Sequence, residues 1–279
     1  MTALKPPFTY FGGKTAIAER IAALLPPHGH YVEPFAGSLA VLLAKKPSRL
    51  ETVNDLAGDI VHFWKTLRER PDELERACAL TPHARAEHQL CYEPTQDDLE
   101  RARRTWVRLT QGRAGYIHQR TGWHFYENPA SRRTSMAAEL ASYVSRLHPA
   151  AQRMARVSVE CRPALEVIAA YGRHESALLY CDPPYLDSTR VHGTGNAYVH
   201  EMRSEDDHRE LAGALEGCRA AVVLSGYDSP LYAELYGDWH RREISALCGN
   251  SRRARARTEV LWSNRPFPQG SLFDGLEAS

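Results

Sequence analysis

The sequence predicts an α/β fold: a twisted, mostly parallel sheet flanked by helices, with an antiparallel strand near the C-terminus and a helical, basic insert. Three observations predict it. Short apolar strands alternate with helical stretches at 31–45 and 51–67. The run Leu178-Leu179-Tyr180-Cys181 is apolar and unpunctuated, as expected of a strand covered on both faces. Between these two halves, residues 66–155 lose the strand pattern and gain arginine.

Taken in order, residues 8–15 open a helix that carries Ala16, Ile17, Ile21, Leu24 and Leu25 at helical spacing and stops at Pro26-Pro27. Gly12-Gly13 allow the backbone to approach a ligand, and Lys14 stands where it can bond a carboxylate or phosphate. The segment is no Walker A loop, because G-x-x-x-x-G-K-S/T needs a glycine where Phe8 stands. Residues 31–33 read as a strand, 34–38 as a small-residue turn and 39–44 as a helix. That turn is not G-x-G-x-x-G, which argues against a nicotinamide dinucleotide. A second strand, 51–55, ends in Asp55, placed either to accept ribose hydroxyls or to cap the helix that follows, or to do both.

The insert begins helical. From Asp97 it is amphipathic, with Leu99, Ala102, Trp106 and Leu109 on one side and arginines expected on the other. After it come a strand at 157–160, a helix at 165–169, and the apolar strand that runs into Asp182-Pro183-Pro184-Tyr185. Two prolines cannot extend a ladder, so the chain leaves the sheet there in a stiff turn. That turn holds a carboxylate, free carbonyls and a ring at the strand's carboxyl end, the edge where open α/β sheets bind ligands. An exocyclic amine could donate to Asp182 and to the Pro183 carbonyl while Tyr185 stacks on a planar base. Residues 186–203 read as a loop near the substrate, leading to a helix capped by Ser204. Strands at 220–225, 240–244 and 259–264 complete the sheet.

Composition sets the remaining bounds. The 279 residues suffice for one large or two small domains, and no apolar run approaches the length of a membrane span. Residues 1–7 lack the apolar core of a signal peptide. The six cysteines are scattered without C-x-x-C spacing, as in a cytosolic protein with reduced thiols. Cys78, His83, His88 and Cys91 match no established zinc spacing and are expected to be ordinary side chains, with no metal. Net charge is +1, but residues 99–135 hold eight arginines against two acids. A second run, Arg252-Arg253-Ala254-Arg255-Ala256-Arg257, falls between the last two strands. Such clustering in a near-neutral chain is the footprint of a polyanion partner.

Y-F-G-G-K at 10–14, E-P-F-A-G at 33–37, N-D at 54–55 and D-P-P-Y at 182–185 resemble, in this order, the Dam-type (D12 class) adenine-N6 DNA methyltransferases. Residues 223–232 and 258–264 resemble the later strand segments of that family. The resemblance implies a Rossmann-like methyltransferase sheet using S-adenosylmethionine. It places the catalytic domain at 1–65 and 156–279 and a DNA target-recognition domain at 66–155. It implies that Tyr10 and Lys14 contact the cofactor, that Glu33, Pro34, Phe35 and Gly37 cradle it, and that Asp55 binds its ribose. Asp182 lies between cofactor and target amine, and Pro183, Pro184 and Tyr185 complete the catalytic corner. Arg104, Arg108, Arg113, Arg120, Arg132, Arg133 and Arg253 are the candidate DNA contacts. Double-stranded DNA is the implied partner, in the cytoplasm of a bacterial or phage-infected cell. A cognate restriction endonuclease is a possible second partner, and the working state is a monomer or weak dimer.

Two departures stand out. Leu39 occupies the place of the family's usual second glycine in the first-strand loop, and Leu109-Thr110-Gln111-Gly112-Arg113-Ala114-Gly115-Tyr116 replaces its familiar recognition stretch, so no target sequence carries over. A low pKa is expected for Asp182, which must be ionised to accept. D-P-P-Y also suits cytosine N4, RNA or a protein amide as acceptor; the arginines favour nucleic acid. A non-catalytic module that binds the cofactor or DNA is the alternative of a different class.

Overall fold

The computed structural model describes residues 3–126, 134–186, 202, 204–246 and 257–268. The described strands form one sheet: β1 (His30–Glu33), β2 (Leu50–Asn54), β3 (Ser158–Glu160), β4 (Ala177–Cys181), β5 (Ala221–Gly226), β6 (His240–Ala246) and β7 (Arg257–Ser263). Their spatial order is β3-β2-β1-β4-β5-β7-β6. β1 pairs in parallel with β2 on one side and with β4 on the other. Chain order reverses at that point, which is where an open α/β sheet forms its ligand crevice. β7 runs antiparallel to both β5 and β6, as expected of a C-terminal reversal.

Alternating residues of the central strands feed two cores. Tyr31, Val53, Leu178, Tyr180, Val223 and Leu261 pack on one face, against α1 (Ala18–Leu24), α2 (Ala40–Ala44) and α3 (Gly58–Glu69). Val32, Leu179, Cys181, Val222, Leu224 and Trp262 pack on the other, against α9 (Ala164–Tyr171), α10 (Glu205–Glu216) and α11 (Pro230–Tyr236). Burial of both faces explains why β4 and β5 read as continuous apolar runs. Ser204 caps α10 with a reciprocal capping box to Asp207. The helix expected to open at residue 8 starts only at Ala18. Residues ahead of it fold into turns instead, with Gly13 N–H bonded to the Tyr10 carbonyl and Ile17 N–H to that of Lys14.

Between α3 and β3 the chain forms α4 (Pro71–Ala79), α5 (Arg85–Leu90), α6 (Asp98–Gln111), α7 (Met136–Val144) and α8 (Leu147–Met154). Asp97 caps α6 by accepting from Glu100 N–H at 2.8 Å, and Ala102, Trp106 and Leu109 are buried along its apolar stripe. The arginines of α6 turn back onto the fold rather than outward. Arg101 and Arg108 both bond Asp59 on α3, and Arg103 bridges Glu87 and Glu100. This packing fastens the insert to the sheet domain. The N-terminal segment is clamped as well: Trp106 donates to the Pro7 carbonyl at 2.9 Å, and Arg146 donates to that of Pro6 at 3.1 Å. No described helix is long and apolar enough to cross a membrane.

Candidate active site

The turn after β1 is held from three sides. Ala36 N–H donates to the Asn54 carbonyl at 2.8 Å, Trp64 on α3 donates to the Gly37 carbonyl at 3.1 Å, and Asn54 Nδ2 donates to the Pro34 carbonyl at 2.9 Å. Asn54 also exchanges hydrogen bonds with the Arg162 backbone, tying in the loop after β3. Gly37 adopts a φ of +46°, and a Cβ there would stand 2.9 Å from the Tyr10 ring, so glycine is required on both counts. Leu39 also lies in the left-handed region, at φ 55°, although its side chain is fully buried. The family's usual glycine there has a backbone reason; here core packing of the leucine offsets the strain.

Asp55, at the tip of β2, accepts from Gly37 N–H at 2.7 Å through Oδ2 and from Ala57 N–H at 2.8 Å through Oδ1. It thus fastens the glycine turn and the start of α3 together. Tyr10, Lys14, Glu33, Pro34, Phe35, Gly37, Asp55, Asp182 and Pro184 all line one cavity of about 270 Å³ at the carboxyl ends of β1, β2 and β4. Glu33 and Asp182 meet there because β1 and β4 are sheet neighbours, and Lys14 joins them from 168 positions before Asp182. Tyr185 and Pro183 lie outside that lining.

Asp182 is gripped by Lys14, whose Nζ stands 2.8 Å from either carboxylate oxygen and 2.9 Å from the Gly12 carbonyl. Tyr185 Oη donates toward Asp182 Oδ1 at 3.0 Å and toward Glu259 Oε1 on β7 at 2.5 Å. The Tyr185 ring meets Tyr227 edge-on, with centroids 4.7 Å apart, and has Lys14 Nζ 4.8 Å from its own centroid. Burial pushes the Asp182 carboxyl above the ordinary aspartate range; Lys14 pulls it down, and the Glu259 carboxylate pushes it up again. The low value expected from its role as an acceptor is therefore corrected: burial outweighs the pull of Lys14, and the Glu259 carboxylate adds to the rise. Glu33 is buried, and burial pushes its carboxyl up to about 8, against the hydrogen bond from Tyr31 Oη at 2.9 Å.

The cavity's chemistry fits a cationic nucleoside. It offers a buried carboxyl at Glu33 and a half-buried one at Asp182, a carboxylate at the strand tip beside a glycine turn, and the rings of Tyr10 and Phe35 for a planar base. Among the described residues its lining holds no basic cluster of the kind that would take a polyphosphate, and Lys14 is paired with Asp182.

The arginine candidates divide. Arg104 bonds Glu100 and the Glu93 and Pro94 carbonyls. Arg108 bonds Asp59 and the Ile117 and Cys91 carbonyls. Both brace the insert internally. Arg113 and Arg120 are exposed, Arg120 reaching Glu93 at 3.2 Å and lying over Tyr92. Arg120 lines a groove together with Arg85, Tyr92 and Trp123. There Trp123 stacks between His83 and Phe125, with the Arg85 guanidinium 4.8 Å from the indole centroid. Arg85 went unnoticed in the sequence because it lies outside both arginine clusters. Arg132, Arg133, Arg253 and the loop at 187–201 lie outside the described residues. Cys78 and Cys91 are buried thiols, while His83 bonds the His124 carbonyl and His88 bonds Tyr92.

An α/β sheet with its cavity at the β1–β4 switch point, and an acid-proline-proline-tyrosine corner on its rim, defines the class of amino-group methyltransferases. Residues 10–248 match the family model of the D12 class N6 adenine-specific DNA methyltransferases, and the chain belongs to that family. It is 24% identical to the Type II methyltransferase M1.LlaDCHI of Lactococcus lactis subsp. cremoris, over 92% of this chain and 95% of that one. It is 27% identical to the Retron Ec67 DNA adenine methylase of Escherichia coli, over 90% of this chain and 88% of that one. It is also 26% identical to the DNA N-6-adenine-methyltransferase of Escherichia phage P1, over 83% of this chain but only 31% of that longer protein. DNA is accordingly the substrate, and the chain is an enzyme of adenine methylation.

Proposed function

We propose that the cavity binds S-adenosylmethionine and that Asp182 presents the N6 amine of an extruded adenine to it. Tyr10, Phe35 and the turn at Gly37 hold the nucleoside part and Asp55 its ribose, while Glu33, neutral at its raised value, borders the cofactor as a hydrogen-bonding group. When bound, S-adenosylmethionine supplies an electrophilic methyl group on a sulfonium. The Asp182 carboxylate and the Pro183 carbonyl accept the amine hydrogens, which draws the nitrogen toward pyramidal geometry and aims its lone pair at the cavity. Positioning of this kind accounts for most of the rate when the electrophile is already activated. N6 is out of reach inside a duplex, so the base must leave the stack at a cost of a few kcal/mol. Stacking on the anchored Tyr185 ring, worth about 1–3 kcal/mol, offsets part of that. No step calls for a metal ion.

Residues 66–155 act as the recognition domain, with Arg85, Arg113 and Arg120 on phosphates and Trp123 near bases. Residues 1–65 and 156–279 act as the catalytic domain. The enzyme works on duplex DNA, as a monomer or weak dimer, in a bacterial or phage-infected cytoplasm. A cognate restriction endonuclease is a proposed partner, prompted by the Type II relative.

What carries the reading is the seat of Asp182 on the rim of a cavity built from β1 and β2 loops. Single-molecule sequencing of DNA from cells expressing the protein tests it. N6-methyladenine confined to one sequence context is expected, and its loss in Asp182→Ala. Methylated cytosine, or unmodified DNA with soluble wild-type protein, would overturn it.

A further inference from the structure

Glu259 is a buried acid on the antiparallel strand β7, and the cavity lining does not include it. Its Oε1 accepts from Ser225 Oγ on β5 at 2.6 Å and from Tyr185 Oη at 2.5 Å, and lies 3.8 Å from Lys14 Nζ. The side chain is only 6% exposed, so the carboxylate depends on these partners. Tyr185 has one hydroxyl proton and two carboxylates in reach, Glu259 at 2.5 Å and Asp182 at 3.0 Å. A hydroxyl proton can serve only one acceptor fully.

We propose that Glu259 is a positioning residue for methyl transfer: it takes the Tyr185 proton, so that Asp182 keeps its oxygens for the substrate amine. Without it, the tyrosine hydroxyl turns to Asp182 and competes with the N6 hydrogens for the same lone pairs. Ser225 fixes the Glu259 rotamer, and the β5–β7 pairing fixes its height above the sheet, with Ser225 opposite Leu261 and Gly226 opposite Val260. The inference rests on Asp182 being the amine's acceptor.

A charge consequence follows. Among the described residues, the groups facing Asp182 are Lys14 ahead of α1, Glu33 on β1, Tyr180 and Cys181 on β4, Tyr185 in the turn, Tyr232 on α11 and Glu259 on β7. Burial raises the tyrosines and Cys181, keeping them neutral, and holds Glu33 protonated up to about 8. Lys14 and Glu259 are then the neighbours that act on Asp182 with opposite signs.

The test is single-turnover methylation of duplex DNA by the full chain carrying Glu259→Gln, Glu259→Asp, or Glu259→Gln with Tyr185→Phe. Affinity for S-adenosylmethionine is measured alongside. Glu259→Gln should lower the single-turnover rate about tenfold, with cofactor affinity changed less than about twofold, and should move the acid limb of the pH profile to lower pH. Glu259→Asp shortens the reach but keeps the charge, so its rate falls and its acid limb stays. In the Tyr185→Phe background the competing hydroxyl is gone, and Glu259→Gln should cost less than about twofold. A role confined to folding would cost the same in both backgrounds and leave the pH limb in place; that result, or wild-type rates in Glu259→Gln, overturns the proposal. Asp182→Asn serves as the control: if it stays active, the acceptor assignment itself has failed, independently of Glu259.

Discussion

Asp182 has to be charged in a place that resists charge. Burial and Glu259 raise its carboxyl, and Lys14 compensates. Activity should therefore fall as pH drops at values above the ordinary aspartate range, because the protonated form cannot accept both amine hydrogens. Glu33 makes the companion case for stability. Its folded-state value of about 8 lies above the ordinary 4.5, so the folded protein keeps a proton that the unfolded chain releases. That contribution is full below pH 4.5 and is lost as pH rises through about 8. Glu33→Gln, which cannot ionise, should flatten this slope: thermal melts should show little difference from wild type near pH 4.5 and a higher midpoint for the variant near pH 8. A variant that melts in parallel with wild type across that window would refute the buried, protonated state. D-P-P-Y was legible in sequence because its residues are contiguous. Glu259 was not, since nothing in T-E-V-L-W marks one strand acid as facing a corner 77 residues earlier.

At the scale of elements, the turn after β1 shows which departures from family pattern matter. Leu39 holds a left-handed backbone that costs about 1–2 kcal/mol, and its fully buried side chain repays that through packing. Gly37 has no such latitude, because a methyl group would strike the Tyr10 ring at 2.9 Å. Gly37→Ala should weaken S-adenosylmethionine binding roughly tenfold, equivalent to about 1.4 kcal/mol, by displacing Tyr10 and straining the turn. Calorimetric titration reads this directly, and unchanged affinity would remove the turn from the binding site. The strands could be read from apolar runs, whereas their spatial order comes from the pairing. The helical spacing of Ala16, Ile17, Ile21, Leu24 and Leu25 does not reveal where that helix begins: turns around Gly12-Gly13 hold the residues ahead of Ala18.

Across the whole molecule, the insert does more than carry charge. Gly115 accepts from Phe11 N–H at 3.1 Å, Tyr116 stacks on Phe11 at 4.6 Å, and Tyr143 meets Thr9 at 2.6 Å. The segment bearing Tyr10 and Lys14 is therefore braced by the proposed DNA-binding lobe. Composition could reveal an arginine cluster but not its direction: amphipathic spacing is the same whether the polar face meets solvent or, as on α6, half-buried acids of neighbouring helices. Arg113→Ala and Arg120→Ala should each weaken DNA binding and reduce the salt slope by about one. Arg104→Ala should instead lower thermal stability and leave the slope unchanged; the reverse pattern would return α6 to the DNA surface. The acidic corner itself is tested most directly by Asp182→Asn, with cofactor binding, DNA binding and single-turnover methyl transfer measured on the same preparation. Near-normal binding of both ligands with transfer reduced by about a hundredfold or more is the predicted result. Transfer at close to the wild-type rate would contradict the account.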